Sequence, residues 1–420
     1  MKSMDHYYPT LKNIYKAQDA LKGVAINSPL IFNQTLSDQL GASIFLKRED
    51  LQAVRSYKIR GSYNKINSLT KEERKAGVVC ASAGNHAQGV AFACNKLTIK
   101  GTIYMPTTTP KQKVLQVKMF GKANIEVVLV GDTFDDAYCK AVDFCKEAGS
   151  VFIHPFDDPY VIEGQATVGV EIIEELHDIP DYVILPIGGG GLASGVGSVF
   201  RYMSPQTRVI GAEPSGALSM KLSLESGKIK ELVHIDSFVD GAAVKRPGNL
   251  TFEICKKVVD KIIPVPEGAV CTAILELYNK NAIVAEPAGA LSVAALDFIK
   301  EEIKGKSVVC VISGSNNDIT RTEEIRERSL LYEGLKHYFI VRFPQRSGAL
   351  LNFVNNVLGP GDDITHFSYS KKTNREQGPA LIGIELSKRE DLDKLLYNLD
   401  ANRIVYEYLN DKQDLFGYLI

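Results

Sequence analysis

Three segments of the chain combine residue types that can carry chemistry. The first, SYKIRG at 56–61, places Lys58 beside the aromatic Tyr57 and near the expected start of a helix. Burial and the positive end of a helix dipole both disfavour a charged amine, so they would lower the pKa of Lys58 and let it attack an aldehyde. An ordinary surface lysine in a charged stretch is the alternative interpretation.

The second segment, SAGNHAQG at 82–89, follows an apolar run and precedes a helical pattern. Backbone N–H groups at a helix start, together with the side chains of Ser82 and Asn85, can hold a carboxylate. A plain helix cap is the alternative, because serine and asparagine are also favoured capping residues.

The third segment contains four consecutive glycines, which are Gly188, Gly189, Gly190 and Gly191. They lie between an apolar strand pattern and a helix predicted from about Ala193. Glycine lets backbone amides approach an anion closely, and the helix dipole favours negative charge there, so a phosphate is the expected ligand. A dinucleotide site is the rival interpretation, because a G-x-G-x-x-A spacing followed by Glu213 also matches that fingerprint.

The elements that must position these segments alternate along the first 330 residues. Strands are predicted at Val78–Ala81, Gly101–Met105, Ile125–Val130, Tyr182–Leu185, Arg208–Ala212 and Val308–Ile312, and helices at Ala87–Leu97, Thr133–Glu147 and Ala166–Leu176. Near-continuous apolar strands that alternate with amphipathic helices are typical of parallel sheets covered on both faces. The fold class predicted for this region is therefore α/β.

Residues 335–420 predict a separate, smaller domain. Its elements are expected as strand His337–Phe343, helix Gly348–Val357, strands Ile364–Ser370 and Ala380–Leu386, helix Lys388–Leu399 and strand Ile404–Tyr408. This βαββαβ order is the ferredoxin-like arrangement. The expected junction between the two domains is Ser329–Gly334.

Composition and charge exclude several classes of protein. The formal net charge of −1 and the 45% hydrophobic content exclude a mostly disordered chain and a strongly basic one that would bind nucleic acid. No apolar run approaches the roughly 20 residues that span a membrane, and no apolar leader is apparent, so a cytoplasmic protein is expected. Scattered cysteines without ligand spacing predict reduced core thiols at Cys80, Cys94, Cys139, Cys145, Cys255, Cys271 and Cys310.

Taken together, the three segments resemble the fold-type II pyridoxal-phosphate-dependent enzymes, and within them the threonine dehydratases. The most specific motifs are KRED at 47–50, SYKIRG at 56–61, SAGNHAQG at 82–89, GGGGL at 188–192, EPAGA at 286–290 and SGSN at 313–316. The resemblance implies a catalytic domain over residues 1–330, built from two open, twisted α/β subdomains like those of tryptophan synthase β. The smaller subdomain would occupy about 55–155.

The resemblance also implies a role for each motif. Lys58 would hold pyridoxal phosphate and then remove the substrate's α-proton, with Tyr57 near the cofactor ring. Asn85 would hydrogen-bond the cofactor's 3′-oxygen, and Ser313 would meet its pyridine nitrogen. The cofactor phosphate would be bound by Gly188, Gly189, Gly190, Gly191 and Leu192. The substrate carboxylate would be held by Ser82, Ala83, Gly84, Asn85 and His86.

The Ser313 assignment favours one reaction class. A neutral hydroxyl does not hold the pyridine nitrogen protonated, so the ring would be a weaker electron sink than one paired with aspartate. A substrate that promptly loses its β-hydroxyl suits such a ring. The family's reaction is the conversion of L-threonine to 2-oxobutanoate and ammonia, the first committed step of isoleucine biosynthesis, with the cofactor phosphate as proton donor to the leaving hydroxyl.

Two other functions stay open from the sequence. One is a fold-type II enzyme acting on L-serine, either a dehydratase or a racemase. Related racemases use a serine as a second acid/base where this chain has Ala83, which cannot donate a proton. The same relatives carry a divalent-cation site that Glu213 and the carbonyl of Ala217 would match, but Ser219 stands where they have aspartate, so no metal is expected. The other function is a non-catalytic amino-acid sensor with the same fold.

The C-terminal domain resembles one copy of an ACT-like amino-acid-binding domain, on the segment FPQRSGAL at 343–350. This resemblance implies feedback inhibition by isoleucine, opposed by valine, in a homo-oligomer that the family suggests is a tetramer. A domain that only holds subunits together is the alternative. Neither nucleic acid nor membrane is expected as a partner.

Overall fold

The computed structural model describes residues 7–176, 178–369 and 376–412. They form two compact units, residues 1–318 and 319–420, each with its own apolar core. Predictions that include residues 1–6, the strand end at Ser370 or residues 413–420 extend beyond the described residues.

In the N-terminal unit, strands and helices alternate along the chain. The strands are β1 (Leu30–Phe32), β2 (Ser43–Arg48), β3 (Val78–Ala81), β4 (Gly101–Met105), β5 (Ile125–Leu129), β6 (Val151–Phe152), β7 (Tyr182–Pro186), β8 (Arg208–Pro214), β9 (Lys261–Val265) and β10 (Ser307–Ile312). The helices are α1 (Leu11–Leu21), α2 (Gln34–Leu40), α3 (Lys58–Asn67), α4 (Lys71–Ala76), α5 (Asn85–Leu97), α6 (Lys111–Gly121), α7 (Phe134–Ala148), α8 (Pro159–Glu175), α9 (Gly191–Met203), α10 (Ser219–Ser226), α11 (Asn249–Val258), α12 (Glu267–Asn281), α13 (Pro287–Ala294) and α14 (Lys300–Ile303).

The larger sheet of this unit has the strand order β1-β2-β10-β7-β8-β9. Its neighbours pair in parallel, apart from β1, which runs antiparallel to β2. Every residue of β7 is buried, as expected for a strand covered on both faces. The predicted α/β class is confirmed, and the glycine segment lies at the carboxyl end of β7.

The smaller sheet has the order β5-β4-β3-β6, and all of its strands pair in parallel. Its apolar core is built around Val78, Cys80, Val90, Ile103 and Met105. The sheet falls inside the range 55–155 predicted for the smaller subdomain. Segment 82–89 lies at the carboxyl end of β3, where α5 begins.

Three helices begin earlier than the sequence pattern predicts. α5 starts at Asn85 instead of Ala87, and α9 starts at Gly191 instead of about Ala193. The largest difference is in α8, which starts at Pro159 because Asp158 caps it by accepting hydrogen bonds from the next turn. Glycine and polar residues conceal helical periodicity in these first turns, although the backbone is already helical.

The C-terminal unit contains α15 (Thr322–Glu333), β11 (Lys336–Pro344), α16 (Ala349–Asn356), β12 (Asp363–Tyr369), β13 (Gln377–Glu385), α17 (Asp391–Ala401) and β14 (Val405–Tyr408). Its antiparallel sheet has the order β12-β13-β11-β14. The predicted βαββαβ order is confirmed. The expected junction Ser329–Gly334 is instead the last part of α15 and its glycine cap at φ 70°, and the two units divide before this helix.

All seven cysteines are free. Five are buried as predicted, but Cys139 is exposed on α7 and Cys145 is partly exposed, so the prediction of core thiols is wrong for these two. Among the described residues, no helix has both the length and the apolar character needed to cross a membrane.

Candidate active site

Lys58 is the first residue of α3, at the end of a turn that the neighbouring strand β10 helps to hold. The backbone N–H of Tyr57 donates to Ser313 O at 3.1 Å, and Ser56 forms an isolated bridge with Gly314. Arg55 adopts a left-handed φ of 60°, so the chain turns sharply before the helix. Lys58 and Ser313 are therefore fixed close together by backbone contacts.

The Lys58 amine has the environment expected of a nucleophile. Its Nζ donates to Pro155 O at 2.8 Å and lies 5.3 Å from the centroid of the Tyr57 ring. Burial lowers the pKa of Lys58 to about 8, although the nearby Glu286 carboxylate opposes the shift. A substantial fraction of the amine is therefore neutral near pH 8.

The segment after Pro155 joins Lys58 to the glycine loop. A Cβ atom on Gly189 would overlap the ring of Phe156, so this ring lies directly against the loop. Asp157 accepts from the backbone N–H groups of Leu250 at 2.8 Å and Thr251 at 3.2 Å, and thereby caps α11. The same short segment thus contacts the Lys58 amine, the glycine loop and the helix behind that loop.

The glycine loop is crowded at the positions where side chains would project. A Cβ on Gly188 would lie 2.9 Å from the Cα of Ala242, and Gly190 has a left-handed φ of 90°. Thr251 Oγ1 donates to Gly189 O at 2.6 Å, which fixes the loop from behind. The first N–H groups of α9 have no partner inside the helix, so they are available to an anion.

The segment 82–89 presents polar groups at the start of α5. Ser82 Oγ accepts from the N–H of Gly84 at 3.2 Å, and the residues from Ser82 to Asn85 are partly accessible. His86 differs, because its ring is buried and its Nε2 lies 2.8 Å from Ile153 O. Burial, and then the charge of Lys58, lower the pKa of His86 to about 3, so the ring is neutral. Only the backbone of His86 is left to face a substrate.

Asn85 belongs to a hydrogen-bonded cluster that sequence reasoning did not identify. Its Nδ2 donates to Glu286 Oε1 at 2.5 Å, and its Oδ1 accepts from Asn316 Nδ2 at 2.6 Å. Glu286 and Asn316 belong to the motifs EPAGA and SGSN, but the family resemblance implies no role for either side chain. Glu286 directly precedes α13, and Asn316 follows β10. These positions beside predicted elements were the sequence signal that could have identified them.

Ser313 lies at the carboxyl end of β10 and is buried, with its Oγ 3.2 Å from Ala288 O. Ala288 belongs to the first turn of α13, two residues after Glu286. A serine hydroxyl has one hydrogen and can rotate, so Ser313 can donate to a ring nitrogen by turning this hydrogen away from Ala288 O.

These groups fit pyridoxal phosphate. The phosphate would lie against the backbone N–H groups of the glycine loop, whose positions leave no room for a Cβ because Ala242, Phe156 and Thr251 pack against them, and the aldehyde would meet the partly neutral amine of Lys58. Asn85 and Ser313 carry hydrogen-bonding groups that would suit the phenolic oxygen and the pyridine nitrogen. Contacts through Tyr57, Pro155 and Phe156 connect Lys58 to Ser313 and to the glycine loop.

A cluster of buried charges supports the helix that carries Lys58. Arg60 forms ion pairs with Glu49 at 2.7 Å and Glu171 at 2.5 Å, and Lys47 pairs with Glu171 at 3.0 Å. Burial alone would raise the pKa of Glu49, but the Arg60 guanidinium outweighs it and the pKa is lowered. Ion pairs with the KRED motif and with α8 thus fix the first turn of α3.

The carboxyl group of Glu213 is hydrogen-bonded to the backbone at the start of α10. Its carboxyl group accepts from the backbone N–H of Met220 at 2.7 Å and Lys221 at 2.9 Å, at the start of α10. Burial raises the pKa of Glu213 to about 8. Among the described residues, no group of three or more His, Cys, Asp or Glu side chains is arranged to hold a metal ion.

Family descriptions match both units of the chain. Residues 21–314 match the pyridoxal-phosphate dependent enzymes, and residues 327–419 match the C-terminal regulatory domain of threonine dehydratase.

Individual relatives agree with these matches. The biosynthetic L-threonine dehydratase IlvA of Halalkalibacterium halodurans is 56% identical, with 98% of this chain and 99% of the relative covered. The corresponding Bacillus subtilis protein is 55% identical, with 98% and 97% covered. Among solved structures, processed threonine deaminase isoform 2 from Solanum lycopersicum has a TM-score of 0.72 and 40% identity, covering 77% of this chain and 90% of that one. Maize serine racemase has a TM-score of 0.71 and 30% identity, covering 78% and 99%.

Proposed function

The chain belongs to the threonine dehydratase family of pyridoxal-phosphate-dependent enzymes, and from this premise we propose that it converts L-threonine to 2-oxobutanoate and ammonia at the site around Lys58. The observation that carries the proposal is the position of the Lys58 amine. It has a lowered pKa and is joined through Pro155 and Phe156 to a glycine loop suited to a phosphate.

The residues of this chain divide the work of the reaction. When bound, pyridoxal phosphate supplies an electron sink for the electron pair left on the substrate's α-carbon. Lys58 would hold the cofactor through its amine, and the same amine would accept the substrate's α-proton. The backbone amides of the glycine loop would hold the phosphate, which would keep the reacting carbon near Lys58 in one orientation.

The substrate's carboxylate has a separate binding segment. Ser82 and the backbone N–H groups at the start of α5 can donate hydrogen bonds to it. Ala83 carries no proton donor, so the only amine or acid assigned to the α-carbon is Lys58. This arrangement favours elimination over racemisation, since inversion needs a donor on the opposite face.

The activity is tested with the purified full-length protein loaded with pyridoxal phosphate. L-Threonine, L-serine and D-serine are compared, and 2-oxo acid release is measured alongside chiral analysis of the remaining amino acid. Release of 2-oxobutanoate, with L-threonine the better substrate and no D-serine formed, supports the proposal. Faster turnover of L-serine, or inversion of serine, would instead assign the chain to the serine-specific relatives.

We propose further that the C-terminal unit binds isoleucine as an inhibitor, with valine opposing it, in a cytoplasmic homotetramer. The family match of residues 327–419 supports a regulatory role, and the free cysteines suit a reducing compartment. Deleting residues 319–420 should leave threonine turnover but remove the response to isoleucine. A truncated protein that isoleucine still inhibits would place the effector site in the N-terminal unit.

A further inference from the structure

The amide of Asn85 is held in one orientation by a relay of hydrogen bonds. Val54 O can only accept, so Asn316 Nδ2, at 2.9 Å, must donate to it. The same Nδ2 also donates to Asn85 Oδ1 at 2.6 Å, which leaves Asn85 Nδ2 directed toward Glu286 Oε1 at 2.5 Å. The relay therefore settles which end of the Asn85 amide is the donor.

Glu286 is the acceptor at the end of this relay. It is buried at the start of α13, and its second oxygen accepts from the backbone N–H of Asn316 at 3.2 Å. Its own N–H donates to Gly314 O at 3.1 Å, so the main chain is fixed as well. The carboxylate thus receives two N–H donors, one from Asn85 and one from Asn316, and only a group with two acceptor oxygens can satisfy both.

We propose that Glu286 is a positioning residue, which acts by holding the Asn85 amide so that its second Nδ2 hydrogen is left for the cofactor's phenolic oxygen. This inference rests on the proposed function, because it takes Asn85 as the residue that bonds this oxygen. Glu286 itself is not assigned a contact with the substrate. Its effect on the cofactor passes through Asn85.

The chemistry of the alternatives explains why a carboxylate is needed. A glutamine at this position has one acceptor and one donor, so either Asn85 or Asn316 would face an N–H group and lose its bond. If the lost bond is that of Asn85, its amide keeps only the contact between Oδ1 and Asn316 and can turn its carbonyl oxygen toward the phenolic oxygen, where two acceptors repel. Hydrogen bonds to charged groups contribute about 1.5–3 kcal/mol, so a cofactor affinity roughly tenfold or more weaker is expected.

The test measures the dissociation constant and visible absorption band of pyridoxal phosphate with the full-length apoprotein. Four proteins form a cycle: wild type, Glu286→Gln, Asn85→Ala and the double variant. We expect each single variant to bind about tenfold more weakly and the double variant to bind no more weakly than Asn85→Ala. Glu267→Gln is the matched control, because Glu267 also accepts a backbone N–H, that of Gly216 at 2.7 Å, outside the cofactor site.

Each outcome of the cycle decides something. Normal binding by Glu286→Gln, or losses that multiply in the double variant, would overturn the inference while Asn85 stays a cofactor ligand. Normal binding by Asn85→Ala would instead overturn the assignment of Asn85 within the proposed function. Glu286→Asp, which keeps both acceptor oxygens, should recover part of the lost affinity.

Folding is checked separately. Far-UV circular dichroism of each apoprotein identifies a variant that does not fold. If Glu286→Gln is such a variant, Asn316→Ala replaces it, because it removes the donor that orients Asn85 Oδ1 and leaves the carboxylate. It should weaken cofactor binding in the wild-type background and have no effect beside Asn85→Ala. An equal loss in both backgrounds would contradict the relay.

Discussion

The molecule uses buried glutamates in two ways, one in the charge cluster that supports α3 and one beside Asn85. Behind α3, Glu49 and Glu171 are paired with Arg60, and the guanidinium keeps the pKa of Glu49 low. Near Asn85, Glu286 accepts from the N–H groups of Asn85 and Asn316, and burial, with Asp240 adding to it, raises its pKa to about 7. The paired charges of the first group support the helix α3. The Glu286 carboxylate instead orients the Asn85 amide, whose Nδ2 has a second hydrogen that can be donated elsewhere.

The largest effect is expected at Lys58, which begins the helix that the paired cluster supports. Lys58→Ala should lower threonine turnover by at least ~10³-fold, because it removes both the cofactor's attachment and the base. The rate of 2-oxobutanoate release measures it, and Lys71→Ala on the exposed α4 serves as a control with unchanged rate. Turnover within tenfold of wild type would remove Lys58 from the mechanism.

The next largest effect is a loss of stability when the ion pairs of Arg60 with Glu49 and Glu171 are broken. Arg60→Met leaves Glu49 and Glu171 buried without their partner, and breaking such a pair costs about 3–5 kcal/mol of unfolding free energy. Urea unfolding of the apoprotein measures the loss. Arg201→Met is the control, since its pair with Asp260 at 3.5 Å is substantially exposed and is worth about 0–1 kcal/mol. Equal losses from the two variants would show that the buried cluster is not a special support.

A smaller effect is a pH dependence that reports the Lys58 environment. Burial lowers the pKa of Lys58 from 10.5 to about 8, although the carboxylate of Glu286 opposes the shift. The buried rings of His86 and His154 also lie near Lys58, and burial lowers the pKa of both, so neither offers a negative charge that would stabilise the ammonium form. Only the neutral amine attacks an aldehyde, so the rate of pyridoxal phosphate capture by the apoprotein should rise to about pH 8 and then level off. A rate that still climbs tenfold between pH 9 and 10 would indicate an unperturbed lysine.

The smallest effect is the loss of unfolding free energy on replacing Glu213, whose carboxyl group accepts from backbone N–H groups, compared with the loss on replacing Glu49 of the paired cluster. Because burial raises the pKa of Glu213 to about 8, this side chain is mostly protonated and uncharged at pH 7. Glutamine in its place keeps one of the two backbone N–H bonds that Glu213 accepts at the start of α10, so Glu213→Gln should cost about 1 kcal/mol, the size of a neutral hydrogen bond or a helix cap. Glu49→Gln should cost more, about 1.5–3 kcal/mol, since it removes a hydrogen bond to a charged group. Equal costs at pH 7 would mean that Glu213 is ionised.

Local sequence patterns predicted the fold and the position of the candidate site, but they did not predict the contacts between residues far apart in the chain. The glycine loop and segment 82–89 each follow an apolar strand directly, so their place at the carboxyl edge of a parallel sheet follows from sequence order. The relay from Val54 to Glu286 joins four separate segments of the chain, and no periodicity signals it. Arg60 and Glu49 belong to two of the sequence motifs, but the second partner of Arg60, Glu171, lies inside the predicted helix Ala166–Leu176, where no local pattern marks it as a partner of Arg60.

Chemical trapping of the cofactor tests the central claim most directly. The holoprotein is reduced with borohydride, which makes the bond between pyridoxal phosphate and its lysine permanent, and the digested peptides are examined by mass spectrometry. The account predicts one phosphopyridoxyl group, on Lys58 in the peptide that contains SYKIRG. A label on another lysine, or a holoprotein that reduction leaves unlabelled, would contradict it.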